Sequence, residues 1–421
     1  MSSPIVRSPR ATCRHCGQPI HHTFVDLGMS PLCESFVAED KLDTMEPYYP
    51  LHVLVCGNCF LVQLKEYVSP EHIFSDYAYL SSYSTSWVAH AKAYCGMIKD
   101  RLGLGAESLV VEIACNDGYL LQHFGPLGVA VLGIEPAANV ARLAEEKGVR
   151  VRVDFFGTRL AAQLVTENCM ADLVVANNVL AHVPDINDFV AGIHCLLKPD
   201  GIATLEFPHI ERLIAENQFD TIYHEHFSYL SATVVERIAR LHALRFFDVE
   251  TLSTHGGSLR AYLAHQDSSH PTSPRVRELI ELEGRLGLNN LKGYSSFFEN
   301  AKRTKRELLS FLIAAKNGGK RICGYGAPGK GNTLLNYCGI GTDFLDFTVD
   351  RNPHKHGKFT PGMHIPIRPI EEIGRARPDF ILILPWNLKD EIVEQMRYVG
   401  EWGAKFVVPI PAVEIVEPQA P

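Results

Sequence analysis

The sequence predicts an α/β protein: two Rossmann-like domains behind a small zinc-binding domain. Three observations predict it. Two CxxC pairs stand near the start, a series of strand, glycine turn, helix and strand begins near Ser108, and a second such series begins near Lys320. At 421 residues the chain is too long for one ordinary core. The expected division is a zinc-binding segment over 1–75, a nucleotide-type Rossmann-like domain over 76–272, and a second Rossmann-like domain over 273–421 that opens with a helical connection.

Composition narrows the class. Hydrophobic residues make up 46% and charged residues 21%, the balance of a soluble globular chain. A net charge of −8 with scattered basic residues gives no footprint for nucleic acid or an anionic membrane, so the expected ligand is a small molecule. No apolar run is long enough to span a bilayer and the first residues lack a secretory signal, so a cytoplasmic location is expected. In that compartment the 11 cysteines are read as free thiols. Four are paired by spacing; Cys33, Cys95, Cys115, Cys169, Cys195, Cys323 and Cys338 read as small core residues.

Cys13-Arg-His-Cys16 and Cys56-Gly-Asn-Cys59 each bring two thiolates within reach of one tetrahedral ion. Four thiolates leave no open position, so a Zn²⁺ held there would serve folding. The β-rich stretch Pro47–Val55 would return the second pair to the first. A redox pair or two unrelated turns is the rival reading.

In the second region, Leu109–Ile113 reads as a buried strand, Ala114–Gly118 as its turn, Tyr119–Phe124 as a helix and Ala130–Ile134 as the next strand, closed by Glu135. An acidic residue there can accept both ribose hydroxyls of an adenosine ligand, while the turn offers backbone amides to the remainder. The fuller G-x-G-x-x-G of a dinucleotide site is absent at this turn. S-adenosylmethionine (SAM) therefore suits it better than NAD. Strands Asp172–Ala176 and Gly201–Glu206 follow, with Asn177–Asp185 leaving the end of the former, which places His182 near the reactive end of such a ligand or in an ordinary first helical turn.

Tyr223, His224, Glu225 and His226 then set a phenol, two imidazoles and a carboxylate in four consecutive positions. Few local sequences are so equipped to move protons. Extended, the segment would alternate its faces; in a turn it would fan out.

Residues 273–315 are rich in Glu, Arg, Lys and Leu and read as helical. Beyond them come strand Lys320–Gly326, a turn and helix over Ala327–Asn336, and strands Phe344–Asp350 and Phe380–Trp386. The turn Gly324–Gly331 could cradle a phosphate with backbone amides and Lys330. It lacks the spacing and the Ser or Thr of an ATP-hydrolysing P-loop.

With Cys13-x-x-Cys16, Cys56-x-x-Cys59, Ala78–Ser84, Val111–Gly118, Asn177–His182, Tyr223–His226, Thr254–Arg260 and Gly324–Ala327 in this order, the chain resembles the three-domain sugar C-methyltransferases acting on nucleotide-linked ketodeoxysugars. The resemblance spans nearly the whole length. It implies zinc on Cys13, Cys16, Cys56 and Cys59, and SAM against Glu112, Ala114, Asn116, Asp117, Gly118, Tyr119, Glu135, Asn177 and Asn178. It implies His226 as general base, with Tyr223, Glu225 and His182 around the sugar and Tyr79 on a closing segment that also carries Tyr77 and Tyr83. On the substrate side it implies His224, His255 and Arg260, then Tyr325, Gly326 and Lys330 of the last domain. Two departures stand out: the extra glycines and proline of Ala327–Asn332, and Cys33 and Glu34 where small or amide residues are usual.

Methylating carbon needs a carbanion equivalent, which a base generates beside a ketone. Histidine suits that task near neutral pH, contributing ~10²–10⁴-fold. Donors must also stabilise the enolate oxygen, a role for Tyr223 and His182. The resulting expectation is C-methylation α to the ketone of a dTDP-linked 4-keto-deoxysugar, at C3 before C5. Alternatives are O- or N-methyl transfer, an NAD-dependent epimerase or dehydrogenase built on the last glycine turn, and a non-catalytic nucleotide-binding scaffold.

Overall fold

A computed structural model describes residues 11–74 and 80–418. Tyr77 and Tyr79 lie outside the described residues. The chain forms two compact units that are not consecutive stretches: Met1–His22, Leu54–Glu211 and Glu225–Gly293 make up one, and Thr23–Val53, Arg212–His224 and Tyr294–Pro421 the other.

The first unit is built on strands β1 (Leu109–Ile113), β2 (Ala130–Ile134), β3 (Val151–Arg152), β4 (Ala171–Asn177), β5 (Leu197–Pro208), β6 (Leu244–Leu252) and β7 (Ser258–His265). Short apolar runs rich in Val, Leu and Ile form them because both faces are covered. Their order is β3-β2-β1-β4-β5-β7-β6, with β7 antiparallel to both neighbours. The chain steps outward from β1 to β3, returns beside β1 at β4, and steps outward the other way. That reversal opens a crevice at the carboxyl ends of β1 and β4.

The strands expected around 109–113, 130–134, 172–176 and 201–206 are all present, the last extended to Leu197–Pro208. The helix expected over Tyr119–Phe124 is only a 3₁₀ turn, Leu121–His123. Helix Thr85–Leu102 covers one face of the sheet, packing Trp87, Tyr94 and Ile98 against Val110, Val175 and Tyr262. Gly118 has a φ of +75°, and a Cβ there would stand 3.1 Å from Ala144 Cβ and 3.2 Å from Val149 Cγ2, so this turn needs glycine.

Both cysteine knuckles belong to this unit, whereas most of the chain between them belongs to the other. Within the second unit Phe24 stacks on Phe297 at 4.5 Å, Val37–Ala38 pairs with Lys358–Phe359, Asn332 Nδ2 donates to the Cys33 carbonyl at 2.6 Å, and Glu46 accepts from Gly362 N at 2.9 Å. The long loop between the knuckles thus finds its partners in the C-terminal part of the chain. The unit's main sheet has strands β8 (Ile322–Tyr325), β9 (Thr348–Val349), β10 (Ile367–Arg368), β11 (Phe380–Ile383), β12 (Lys405–Val408) and β13 (Glu414–Val416) in the order β10-β9-β8-β11-β12-β13, parallel except for the last. It is a second Rossmann-like sheet with its own reversal at β8 and β11. The helical connection resolves into helices Pro274–Arg285 and Phe297–Asn317.

One buried carboxylate fastens helix Pro274–Arg285 to the first unit. Glu283, fully buried, accepts from His209 Nε2 at 2.7 Å and from the backbone N–H groups of Ala232 and Thr233 at 2.6 and 2.8 Å, closing the N-terminus of helix Ala232–Leu241. Replacing it strands several buried donors. Glu283→Ala should lower the unfolding free energy in urea titration by about 3–5 kcal/mol; a change below about 1 kcal/mol would mean that these bonds are readily replaced by water.

Candidate active site

The four knuckle thiols converge. Their sulfurs all lie within 4.8 Å of one another, with Cys13 Sγ 3.5 Å from Cys59 Sγ and Cys16 Sγ 3.6 Å from Cys56 Sγ. Zn–S bonds of about 2.3 Å in a tetrahedron put sulfurs about 3.8 Å apart, so the set is already close to ligand geometry. Each knuckle turns the same way: Gly17 and Phe60, just after the second cysteine, have φ of +69° and +64° and return their N–H to the Cys13 and Cys56 carbonyls. Gln63 Nε2 donates to Cys13 Sγ at 3.2 Å. The hydrogen bond from Cys59 drives the Cys13 thiol down, to about 4, and drives Cys59 up. His15 is not a fifth ligand; its Nδ1 lies 3.1 Å from Asn187 Oδ1.

At the crevice, Ala114, Asn116 and Gly118 have φ of +54°, +50° and +75°, so the turn after β1 is folded tightly. Glu135 accepts from Asn116 N and Ala137 N, each at 3.0 Å, through different oxygens, and keeps further lone pairs for a diol. Asn116 Oδ1 accepts from Ser81 N at 2.9 Å, and Asp117 pairs with Lys147 at 3.0 Å. Tyr119 stacks on Trp87 at 5.9 Å and hydrogen-bonds Glu112, whose carboxyl burial pushes well up.

After β4, Asn178 has a φ of +56° and donates its N–H to the Glu206 carbonyl at 2.7 Å. Both polar atoms of the Asn177 side chain, together with Asn178 Oδ1, Glu112 Oε2 and Asp117 Oδ1, are buried without a hydrogen-bond partner among the described residues. Orphaned buried polar atoms carry a cost that a ligand removes. Clustered at the carboxyl ends of β1 and β4, they fit the amino-acid and ribose groups of SAM.

The proton-handling motif is not a strand. His224 and Glu225 form a turn, and Tyr223 and His224 belong to the second unit while Glu225 and His226 belong to the first. In the first unit, Phe227 N donates to the Ala181 carbonyl at 2.8 Å and Leu64 N to the Phe227 carbonyl at 3.0 Å. This hooks the segment onto the turn Leu180–His182 and brings the His182 and His226 rings to a centroid distance of 4.7 Å, edge to face. Burial drives His182 down to about 4 against the opposing hydrogen bond of the Glu225 backbone. A neutral imidazole donating to that carbonyl retains only an acceptor, which does not fit the expected role of oxyanion donor. In the second unit, His224 lies edge-on to Tyr49 at 5.8 Å and is pushed down by burial.

His255 also has a positive φ, +53°, and meets Trp87 edge to face at 4.9 Å. Arg260 is buried among carboxylates. In the second unit, Tyr325 donates to Gln395 at 3.0 Å, and a Cβ on Gly326 would stand 2.6 Å from Pro385 Cδ. Lys330 donates to Asn387 at 2.9 Å above the Trp386 ring; Trp386 donates to Asp220, whose carboxyl burial pushes up to about 6. The expected phosphate cradle is already occupied by a side chain: Gly329 N donates to the Glu34 carboxyl group, which lies 3.5 Å from Lys355 and whose pKa burial pushes up. Sequence reasoning passed over Trp87, His90 and Glu206. A glutamate inside the apolar run Ile202–Phe207 was the available signal.

Three family models cover nearly all of this architecture: a domain described as zinc-binding over residues 13–74, a methyltransferase domain over 87–244, and a C-methyltransferase C-terminal domain over 253–411. The C-methyltransferase NovU of Streptomyces niveus is 34% identical over 416 residues, covering 99% of either chain. The chain belongs to the C-methyltransferase family. A ubiquinone biosynthesis O-methyltransferase of Rhodopseudomonas palustris (strain BisA53) shares 32% identity over 96 residues only, 22% of this chain and 37% of that one. Among solved structures, magnesium protoporphyrin IX methyltransferase of Synechocystis PCC 6803 with bound SAM is 16% identical over 43% of this chain and 78% of that one, with a TM-score of 0.32.

The C-methyltransferase should carry zinc as purified. Elemental analysis is expected to find about one zinc per chain, and Cys56→Ser should lose it and lower the melting temperature. Full thermal stability after chelation would show that the four thiols need no ion.

Proposed function

We propose that this C-methyltransferase uses SAM to methylate the carbon α to the ketone of a dTDP-linked 4-keto-deoxysugar, at C3, in the cytoplasm. The observation that supports this best is the pair of imidazoles, His182 and His226, held 4.7 Å apart by the Phe227 to Ala181 bond in the unit that also carries the orphaned polar groups of the crevice. SAM, when bound, supplies an electrophilic methyl group. Asn177, Asn178, Asp117 and Glu135 would hold it.

The residues of the chain prepare the carbon. His226 takes the proton α to the ketone, leaving the electron pair shared between carbon and the ketone oxygen. His182, neutral and held at the Glu225 carbonyl, offers its remaining nitrogen as an acceptor that orients the His226 ring or a sugar hydroxyl. Tyr223, three residues before the base, is the phenol proposed to donate to the enolate oxygen. The buried Glu225 is proposed to support the imidazolium as it forms.

Transfer to carbon is favoured over oxygen or nitrogen by the family to which the chain belongs. Hydride chemistry is disfavoured by Glu34 standing where the dinucleotide phosphate of a dehydrogenase would bind.

The test is incubation of dTDP-4-keto-6-deoxyglucose with the protein and methyl-¹³C SAM, followed by carbon NMR. A new C-methyl resonance coupled into the sugar ring at C3 is expected, reduced ~10²–10⁴-fold in His226→Ala. An O-methyl resonance, or full turnover in His226→Ala, would overturn the reading.

A further inference from the structure

Four polar residues stand in one row across the first sheet. Glu206 of β5 lies opposite Asn177 of β4 on one side and Arg260 of β7 on the other, and Arg260 lies opposite Glu250 of β6. Residues directly opposite one another share a face, here the one covered by helix Thr85–Leu102.

From Glu206 to Glu250 the row is bonded through Arg260. Arg260 Nη1 donates to Glu250 at 2.7 Å and Nη2 to Glu206 at 3.1 Å, with the guanidinium 4.6 Å from the Tyr94 ring centre and the residue only 4% exposed. Its charge is committed to two carboxylates. Swinging it to a substrate phosphate would leave the fully buried Glu206 without its cation.

Glu206 in turn reaches the pieces that frame the crevice. Its carboxylate takes His90 Nε2 at 3.1 Å and Thr254 Oγ1 at 3.1 Å, and its backbone carbonyl takes Asn178 N at 2.7 Å. The His90 ring stacks on Trp87 at 5.0 Å, and Trp87 meets Tyr119 and His255. One carboxylate therefore fixes the start of helix Thr85–Leu102, the turn carrying His255 and, through Trp87, the ring that follows Gly118.

We infer that Glu206 and Arg260 are positioning residues of the methyl-donor side of the site, and that Arg260 is not a ligand for the acceptor. This rests on the reading of the β1 and β4 crevice as the SAM site. It moves Arg260 from the substrate side, where the resemblance placed it, to the support of the donor pocket.

The experiment is calorimetric titration of S-adenosylhomocysteine into the wild-type chain and into Glu206→Gln, Arg260→Gln, His90→Ala and Thr254→Val, with the acceptor KM measured alongside. Glu206→Gln and Arg260→Gln are expected to weaken binding by roughly tenfold or more, as loss of a supporting hydrogen-bond partner does around other sites, with the acceptor KM little changed. His90→Ala and Thr254→Val, which each remove one donor to Glu206 and leave the four residues of the row in place, should weaken it measurably and keep the test available if the buried variants do not fold. Unchanged affinity in folded variants, or a rise in acceptor KM alone for Arg260→Gln, would overturn the inference. Failure of the wild-type chain to bind would instead overturn the assignment of the crevice, and the inference with it.

Discussion

The reversal of strand order between β1 and β4 is the constraint on which the first unit depends. Adjacent parallel strands whose connections run to opposite sides leave a gap at their carboxyl ends that no helix fills. Into that gap the sequence sends its left-handed turns, Ala114–Gly118 and Asn178, and buried polar atoms that lack a hydrogen-bond partner among the described residues. The turn Leu180–His182 leaves the same edge, and a single backbone bond from Phe227 brings His226 to it. The proposed base and the proposed donor pocket are thus set by one topological feature rather than by a local motif.

Buried charge is the second organising element. Glu206 and Glu283 are both fully buried; Glu206 is surrounded by donors from three separate segments and Glu283 by donors from two. Burial alone would raise the Glu206 carboxyl, but the His90 hydrogen bond and the Arg260 charge outweigh it and hold it below the usual carboxylate range. Such groups add little net stability compared with apolar packing, yet removing one partner is costly. Their effect is to fix geometry: Glu283 sets where helix Ala232–Leu241 begins, and Glu206 sets how the crevice wall stands.

Much of this was legible in the sequence. The zinc site followed from spacing alone, because a tetrahedral ion demands paired thiolates. The strands at 109–113 and 130–134 were visible as apolar runs ending in a turn and an acid. What could not be read were partners distant in sequence. Asn177, Glu206, Glu250 and Arg260 come from four separate strands, and only strand register makes them a row. The same holds for Glu34: the sequence marked it as a departure from the family pattern but not its partner, and its carboxyl group at Gly329 changes the reading of the last glycine turn from phosphate cradle to filled position. The assignment of Thr23–Val53 was likewise hidden, since its partners lie in the last third of the chain.

The central claim is that His226 generates a carbanion equivalent before any methyl group moves. Proton exchange tests this apart from transfer. With the ketosugar in D₂O and S-adenosylhomocysteine in place of SAM, proton NMR should show His226-dependent exchange of deuterium into the position α to the ketone. Exchange at the same rate in His226→Ala, or none in the wild-type chain, would contradict the account.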